Sequence, residues 1–217
     1  MYLIHLSLIH ILLNVTGMTI LNNFTSTYGA QAVAAMGITQ KINMVPLQVA
    51  LGFSQGIMPL ISYNYASGNH KRMKETIFFT IKTLLPFLFV VSVSYYLGAG
   101  VLTRAFMNNE TIVAYGTRFL RGFCLGLPFM CMDFMAVGVF QATGMGKEAL
   151  IFAIMRKIVL EIPAIYILNY VFPLYGLAYA QLVAEAVLAA VAVAVLIKLF
   201  RRLNAPKENK GSGEWID

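Results

Sequence analysis

Four long intervals of this chain contain one charged residue or none. No Asp, Glu, Lys or Arg occurs from Ile42 to Asn69, and three other intervals hold a single one: Lys82 within 77–101, Asp133 within 122–140 and Glu185 within 174–197. The chain is 59% hydrophobic and 12% charged, whereas a soluble domain carries about 25% charged residues. Because a helix needs roughly 20 mostly apolar residues to cross a bilayer, these intervals predict membrane-spanning helices.

Two further segments reach spanning length, one with Arg156, Lys157 and Glu161 and one near the N-terminus without formal charge. Backbone groups in lipid must be hydrogen-bonded within their own segment, which favours helices. We therefore predict an all-α membrane protein whose residues 1–203 form six transmembrane helices, at about 3–21, 31–65, 76–101, 112–142, 149–171 and 174–199. The polar stretch 204–217 is predicted to be a disordered cytoplasmic tail.

Lysine and arginine are distributed unevenly between the two sides of the membrane that these six spans would cross. One side holds four of them, Lys41, Arg104, Arg118 and Arg121. The other side, which also carries both chain ends, holds twelve: Lys71, Arg72, Lys74, Lys82, Lys147, Arg156, Lys157, Lys198, Arg201, Arg202, Lys207 and Lys210. Because cytoplasmic loops are rich in Lys and Arg, we expect both ends to be cytoplasmic and the protein to lie in the plasma (inner) membrane. This topology and anionic lipid headgroups account for the net charge of +7, so no nucleic-acid partner is predicted.

The sequence GFSQG at 52–56 matches the G-x-S-x-G pattern that places a nucleophilic serine on a sharp turn between strand and helix. Here the pattern lies inside an apolar run that only a helix can carry across lipid. We therefore interpret Ser54 as a packing residue, and Gly52 and Gly56 as a pair of small residues that lets two helices approach closely. An intramembrane serine hydrolase is the alternative, and it would need Ser54 to lie near His5 or His10.

Three carboxylates lie within the predicted spans, where a charge costs at least about 2.5 to 3.5 kcal/mol on insertion scales. Asp133 is the most isolated, in FMCMDFM, and Gln141 follows on the same helix face beyond Val137. A carboxylate removed from water is stabilised by a proton or a small cation, so we predict that Asp133 binds a coupling ion, H⁺ or Na⁺. The structural alternative is that Asp133 accepts hydrogen bonds from a neighbouring helix. No other metal site is predicted.

The other two carboxylates have nearer explanations. Glu161 follows Lys157 by four residues, the spacing of an ion pair on one helix face, so we predict a structural Lys157–Glu161 pair. Glu185 follows Gln181 among alanines that permit close helix packing. Its position fits an interhelical hydrogen bond and a transport cavity equally well.

Prolines provide a second indication of transport. Five of them fall within the predicted spans: Pro46, Pro59, Pro86, Pro128 and Pro163. Each removes a backbone hydrogen bond and tends to kink its helix. Kinked and interrupted helices are typical of transporters, although channels and membrane enzymes also contain them.

Several segments, in order, resemble the multidrug and toxic compound extrusion (MATE) family of the MOP superfamily. They are GFSQGIMPLISYNYASGNHKRMKE, VFQATGMGKEALI, MRKIVLEIPAIYILN and FPLYGLAYAQLVAEAV. The resemblance extends from about residue 22 to residue 202. It implies a transporter of two six-helix lobes, of which this chain is the C-terminal one. The missing N-terminal lobe is then an expected partner, and the departure of MYLIHLSLIHIL from the family pattern is expected from a truncated chain.

The resemblance also implies an activity. Family members are antiporters that export amphipathic organic cations and other drugs in exchange for sodium or protons, without a cofactor and without being enzymes. In the sodium-coupled branch, an aspartate on the fourth helix of this lobe belongs to a proposed cation site, and Asp133 matches it by its distance to the glycine-lysine loop. The acidic partner on the first helix has no counterpart in residues 1–21. As substrate-cavity residues we predict Gln48, Tyr63, Asn64, Gln141 and Glu185.

A lipid-linked saccharide flippase of the same superfamily is a further alternative. Its cavity would be expected to present several cations to phosphate groups. The predicted spans offer few beyond Arg118 and Arg121, near the outer end of their helix. The resemblance therefore favours drug export.

Overall fold

The computed structural model describes residues 2–204, with side chains from Leu12 onward except those of Asn14 and Asn204. Every regular element in this part of the chain is helical, which confirms the predicted all-α fold. The elements are α1 (Tyr2–Ser26), α2 (Ala30–Ala66), α3 (His70–Phe106), α4 (Glu110–Cys124), α5 (Leu127–Ala142), α6 (Gly146–Ile154), a π-helical segment (Met155–Glu161), α7 (Ile162–Val171) and α8 (Gly176–Asn204). Of the predicted tail, residues 205–217 lie outside the described part.

These elements make six rods: α1, α2, α3, α4 with α5, α6 through the π segment to α7, and α8. Each predicted span falls on one rod. Within the described residues, α2, α3 and α8 are by themselves long and apolar enough to cross a membrane, and α4 with α5 makes a fourth if their 46° bend lies within one span. For α1 and the rod that contains the π segment, a transmembrane position stays a prediction.

Local sequence signals mark several ends of the rods. Gly68 and Gly144 follow the last turns of α2 and α5 with φ of +71° and +76°, a conformation that favours glycine at the end of a helix. Asn69 and Asn109 cap α3 and α4, where their side-chain oxygens accept hydrogen bonds from the backbone N–H groups of Arg72 and Thr111, each at 3.1 Å. The connections between rods are therefore specified locally.

Two rods are interrupted next to a proline. Pro128 lies in the first turn of α5, directly after the bend between α4 and α5, and Pro163 lies in the first turn of α7, directly after the π segment. Proline has no N–H to donate, so the hydrogen-bond ladder changes register or breaks at these points. The π segment carries Arg156, Lys157 and Glu161, and such segments occur often at functional sites.

Helix α5 lies at the centre of the bundle and contacts α2, α3 and α8. Most of its side chains are buried, including Cys131, Met135 and Phe140, as expected of a helix that is apolar on all sides. Asp133 lies nine residues before the end of α5 at Ala142, about 13 Å along the axis at 1.5 Å per residue. The hydrocarbon core of a bilayer is about 30 Å thick, so Asp133 would lie near its middle if the end of α5 lies at the membrane surface.

Candidate ion site

A cavity of about 240 Å³ opens between α2, α5, the π-containing rod and α8. Its polar lining consists of Ser54, Gln55, Asp133, Gln141 and Arg156, and the remaining walls are apolar. Asp133, Val137 and Gln141 all line it, because residues four apart on a helix share a face. The cavity thus combines one carboxylate and one guanidinium with amide groups and apolar surface.

Asp133 is 1% exposed, and within the described part of the chain no N–H or hydroxyl group donates a hydrogen bond to its oxygens, although the carboxyl group of Glu185 is close enough to share one with it. Leaving a buried polar group without a partner costs about 1–3 kcal/mol, and more for a charged group. The bundle therefore does not satisfy this carboxylate as an ordinary structural contact would. A proton or a small cation in the cavity would do so.

Two ion pairs lie beside Asp133. Arg156 donates from Nε to Oε1 of Glu185 at 3.0 Å, and its Nη2 donates to the same oxygen. Lys157 Nζ lies 2.7 Å from Glu161 Oε2, so the structure brings together the two residues for which the sequence predicts a pair. Glu185 and Glu161 are 1% and 8% exposed, which places both pairs inside the protein.

The charges of this cluster do not balance. Asp133, Glu161 and Glu185 supply three carboxylates, and Arg156 and Lys157 supply two cations, each already paired with one glutamate. Glu185 and Arg156 both act electrostatically on Asp133. Asp133 is therefore the carboxylate left without its own cation. With a single carboxylate in the cavity, the arrangement suits a proton or a monovalent ion rather than a multivalent metal.

The other predicted cavity residues do not meet at this site. Gln48 and Tyr63 are exposed on α2 away from the cavity, and Asn64 is buried, with its Nδ2 donating to Leu60 O at 2.7 Å. Glu185 is engaged by Arg156 and is not part of the lining, so the structure supports the interhelical interpretation of Glu185. Of the predicted set, Asp133 and Gln141 line this cavity.

Sequence reasoning missed Ser54, Gln55 and Arg156 as cavity residues. An isolated Glu185 in an apolar segment is a signal that some neighbouring helix carries a cation. It does not indicate which helix does so. Arg156 and Lys157 were assigned to the basic side of the membrane, but both lie in the middle of their rod with side chains only 11% and 14% exposed. The other ten cations on that side still exceed the four on the opposite side.

The GFSQG segment packs differently from our prediction. A β-carbon added at Gly52 or Gly56 would meet no atom within 4 Å, so close helix contact at these glycines is not made within the described part. Ser54 makes the contact instead, because its hydroxyl donates to Phe134 O of α5 at 2.7 Å. The glycine that permits this approach is Gly138, where a β-carbon would collide with Ser54 Oγ.

The described residues form no site suited to either alternative function, the serine hydrolase or the lipid-linked saccharide flippase. The Ser54 hydroxyl is used in helix packing in the middle of α2, and the side chains of His5 and His10 lie outside the described residues. Arg118 stacks over Tyr175 with its Cζ at 4.8 Å, and Arg121 lies over Tyr96 at 5.3 Å, both away from the cavity. Neither a nucleophile elbow nor a cluster of phosphate-binding cations is formed by these residues.

Replacing Gly138 by Ala should destabilise the bundle by about 0.5–1.5 kcal/mol, the net contribution of the Ser54–Phe134 hydrogen bond that it would displace. The matched change Gly52→Ala should be neutral or slightly stabilising, because its β-carbon meets open space and alanine is the better helix former. Thermal unfolding of the two variants in lipid nanodiscs measures the difference. Equal midpoints would show that α2 and α5 do not meet at Gly138.

A bundle of long apolar helices around a buried carboxylate is the architecture of a multi-pass membrane protein, and intramembrane carboxylates of this kind are typical of transporters. The sequence profile of the MatE family matches residues 7–167, and the chain belongs to this family. The match confirms the resemblance seen in the sequence. It also includes residues 7–21, so part of the N-terminal segment set apart in the sequence analysis belongs to the family pattern.

The chain is similar to multidrug export proteins named MepA. It is 35% identical over 198 residues to MepA of Staphylococcus haemolyticus (strain JCSC1435), an alignment that covers 91% of this chain and 43% of MepA. It is 32% identical over 196 residues to MepA of Staphylococcus aureus (strain MRSA252), covering 90% and 43%. The chain therefore spans less than half the length of the curated relatives it matches.

Solved structures share the fold. The Vibrio cholerae MATE transporter VcmN in its bent form superposes with a TM-score of 0.87 at 17% identity, covering 94% of this chain and 46% of VcmN. A MOP superfamily transporter from Pyrococcus furiosus superposes with a TM-score of 0.85 at 21% identity, covering 91% and 45%. These likenesses confirm that the bundle has the architecture of one lobe of a MATE-type transporter.

Proposed function

We propose that this chain is the C-terminal lobe of a secondary active antiporter that exports amphipathic organic cations and other drugs in exchange for sodium or protons. The observation that carries the proposal is Asp133, a carboxylate buried at mid-bundle in a cavity and left without an N–H or hydroxyl donor among the described groups. The names of the MepA relatives, multidrug export proteins, support the choice of drugs as substrates.

The cavity has the chemistry that an amphipathic cation requires. Asp133 supplies a carboxylate, Arg156 also lines the cavity with its guanidinium bound to Glu185, and Gln55 and Gln141 supply amide donors and acceptors. Met58, Phe134 and Phe152 supply apolar and aromatic walls against which the body of a drug can pack. A site of this kind distinguishes substrates by charge and apolar area, which fits a broad range of drugs.

Antiport follows if the coupling ion and the exported cation bind in turn to the same carboxylate, Asp133. A bound proton or sodium ion neutralises Asp133, and an ion shifts the balance between two conformations by its difference in affinity for them. Measured couplings between sites are typically 1–3 kcal/mol, or about 5- to 150-fold in affinity. One buried carboxylate can supply this coupling without a cofactor, and no enzymatic step is part of the proposal.

The proposed partner is an N-terminal lobe of similar fold. We assign the exposed residues Gln48 and Tyr63 of α2 to a central cavity between the two lobes. The uneven distribution of Lys and Arg supports a cytoplasmic position for both ends of this chain. The apolar outer surface, with side chains such as Phe79, Leu97 and Tyr170 exposed, suits the hydrocarbon of the plasma (inner) membrane.

The two-lobe proposal predicts that the coding DNA upstream of Met1 continues in frame through six further apolar segments. Sequencing the genomic locus provides the measurement, and a stop codon immediately before Met1 would contradict a single-chain transporter.

Cells that express the complete two-lobe protein should retain less ethidium than vector controls. Dissipating the sodium and proton gradients should abolish the difference, and efflux that persists without either gradient would exclude antiport.

The hydrolase alternative has its own control. A serine-reactive fluorophosphonate should not label this protein, because the Ser54 hydroxyl is buried and bonded to Phe134 O. Labelling that is lost in Ser54→Ala would contradict the transporter assignment and favour an enzyme.

A further inference from the structure

We propose that Arg156 is the built-in counter-ion of Glu185 and thereby limits the ion site at Asp133 to one monovalent cation. The inference rests on the proposed function, in that it takes Asp133 as the ion-binding carboxylate. It assigns roles to two further residues, Arg156 and Glu185, which lie outside α5. It also predicts how many cations the site binds. In this arrangement Arg156 and Glu185 are positioning residues, and Asp133 is the group that contacts the ion.

The Arg156 side chain is held by several contacts. Its side chain is 11% exposed, it lines the cavity together with Asp133, and its Cζ lies 5.4 Å from the centre of the Phe134 ring. Both of its bonds to Glu185 end on the same oxygen, Oε1, while Oε2 receives no hydrogen bond from any described group.

The surrounding elements bring few other titratable groups to this site. The π segment adds Lys157 and Glu161, which pair with each other, and α5 adds the thiol of Cys131. Helix α2 contributes the uncharged Ser54 and Gln55, and α1 approaches the Lys157–Glu161 pair with Gly17. Among the described residues, the group as a whole therefore has one negative charge in excess, and Asp133 carries it.

Arg156 has three carboxylates within its electrostatic reach, Glu185, Glu161 and Asp133, and Glu161 is already paired with Lys157. A guanidinium has five N–H donors in a fixed fork, so it can serve a second carboxylate if the first loses its charge. If Glu185 is neutral, we expect Arg156 to turn to Asp133 and to replace the coupling ion there. If Arg156 is neutral, two adjacent carboxylates remain, and each requires a cation to stay ionised in a buried site.

This reasoning predicts a reciprocal pattern that a merely structural ion pair would not produce. Glu185→Gln should weaken cation binding roughly 10- to 1000-fold, the range of an arginine's effect on a contacting carboxylate. Arg156→Gln should raise the number of bound cations from one to two. The double variant Arg156→Gln/Glu185→Gln should return to one, because Asp133 alone remains charged.

The experiment uses the full chain in lipid nanodiscs. Bound ²²Na⁺ is counted by scintillation proximity and bound H⁺ by potentiometric titration of the same samples, so the number of cations is measured whichever ion is coupled. Lys157→Gln/Glu161→Gln is the matched control, a neutralised neighbouring pair that should leave the number at one. Arg156→Lys keeps the charge and should also bind one cation, which attributes the change in Arg156→Gln to the lost charge. If Arg156→Gln does not fold, Glu185→Gln tests the proposal, because unchanged cation binding in that variant would refute it.

The outcomes separate the two proposals. If the wild type binds one cation that is lost in Asp133→Asn, while Glu185→Gln and the double variant behave as the wild type, the role of Arg156 is refuted and Asp133 keeps its function. If Asp133→Asn binds cations as the wild type does, the ion site itself is refuted. The reciprocal pattern in folded variants supports both.

Discussion

Asp133→Asn should abolish the ion dependence of drug export in the complete two-lobe transporter and lower export by about 5- to 150-fold, the range of typical coupling energies. The asparagine side chain has nearly the same size, so packing in α5 is retained while the negative charge is removed. Without that charge, neither a proton nor a sodium ion is stabilised in the cavity at mid-bundle. Ethidium efflux from everted vesicles, driven in turn by a sodium and a proton gradient, measures the effect.

Glu110→Gln is the matched control for this change. This substitution also removes a carboxylate. The Glu110 side chain, however, is 84% exposed and forms an ion pair with Arg104 at the start of α4. Exposed ion pairs contribute roughly 0–1 kcal/mol, so the control should export as the wild type does. Export by Asp133→Asn that keeps its full ion dependence would remove Asp133 from the coupling mechanism.

Gly176→Ala should prevent stable folding of the α7–α8 corner, with a loss of roughly 1–3 kcal/mol or more, as for overpacked cores. A β-carbon at Gly176 would overlap the carbonyl carbon and oxygen of Leu168. That carbonyl also accepts the N–H of Phe172 at 2.8 Å, and the Gly176 N–H donates to Phe172 O at 2.8 Å. The obstacle is hydrogen-bonded backbone rather than a flexible side chain, so it has little room to move.

Gly98→Ala provides the comparison for Gly176→Ala. Gly98 also lies in a helix, α3, but a β-carbon there would meet no atom within 4 Å. Alanine is the better helix former by about 0.5–1 kcal/mol, so Gly98→Ala should be neutral or slightly stabilising. Thermal midpoints in nanodiscs and the yield of monodisperse protein measure both variants. A Gly176→Ala protein as stable as Gly98→Ala would show that the corner is looser than described.

Much of the architecture could be predicted because it depends on local properties of the chain. Each charge-poor interval corresponds to a helical rod, since apolar segments of this length favour helices. The spacing of Asp133 and Gln141 places both on one face of α5, and the spacing of Lys157 and Glu161 brings them into a pair. These relations are set within a few residues along a single helix.

The contacts between helices could not be predicted in the same way. Arg156 and Glu185 are 29 positions apart, and Ser54 and Phe134 are 80 apart. Which side chains meet depends on the rotation of each rod about its axis, and the π segment and the bend before α5 change that rotation midway. For this reason the small residue that brings α2 close to α5 is Gly138 rather than Gly52 or Gly56.

A bundle of apolar helices with three acids inside it follows from the sequence, because hydrophobicity and helical spacing are properties of single segments. The acid that is left without a cation is known only from the packing of the helices. Arg156 could have neutralised Glu161, Asp133 or Glu185, and helix packing directs it to Glu185. Asp133 thereby keeps the unpaired charge in the cavity, since the pairing of buried charges is decided by geometry across helices.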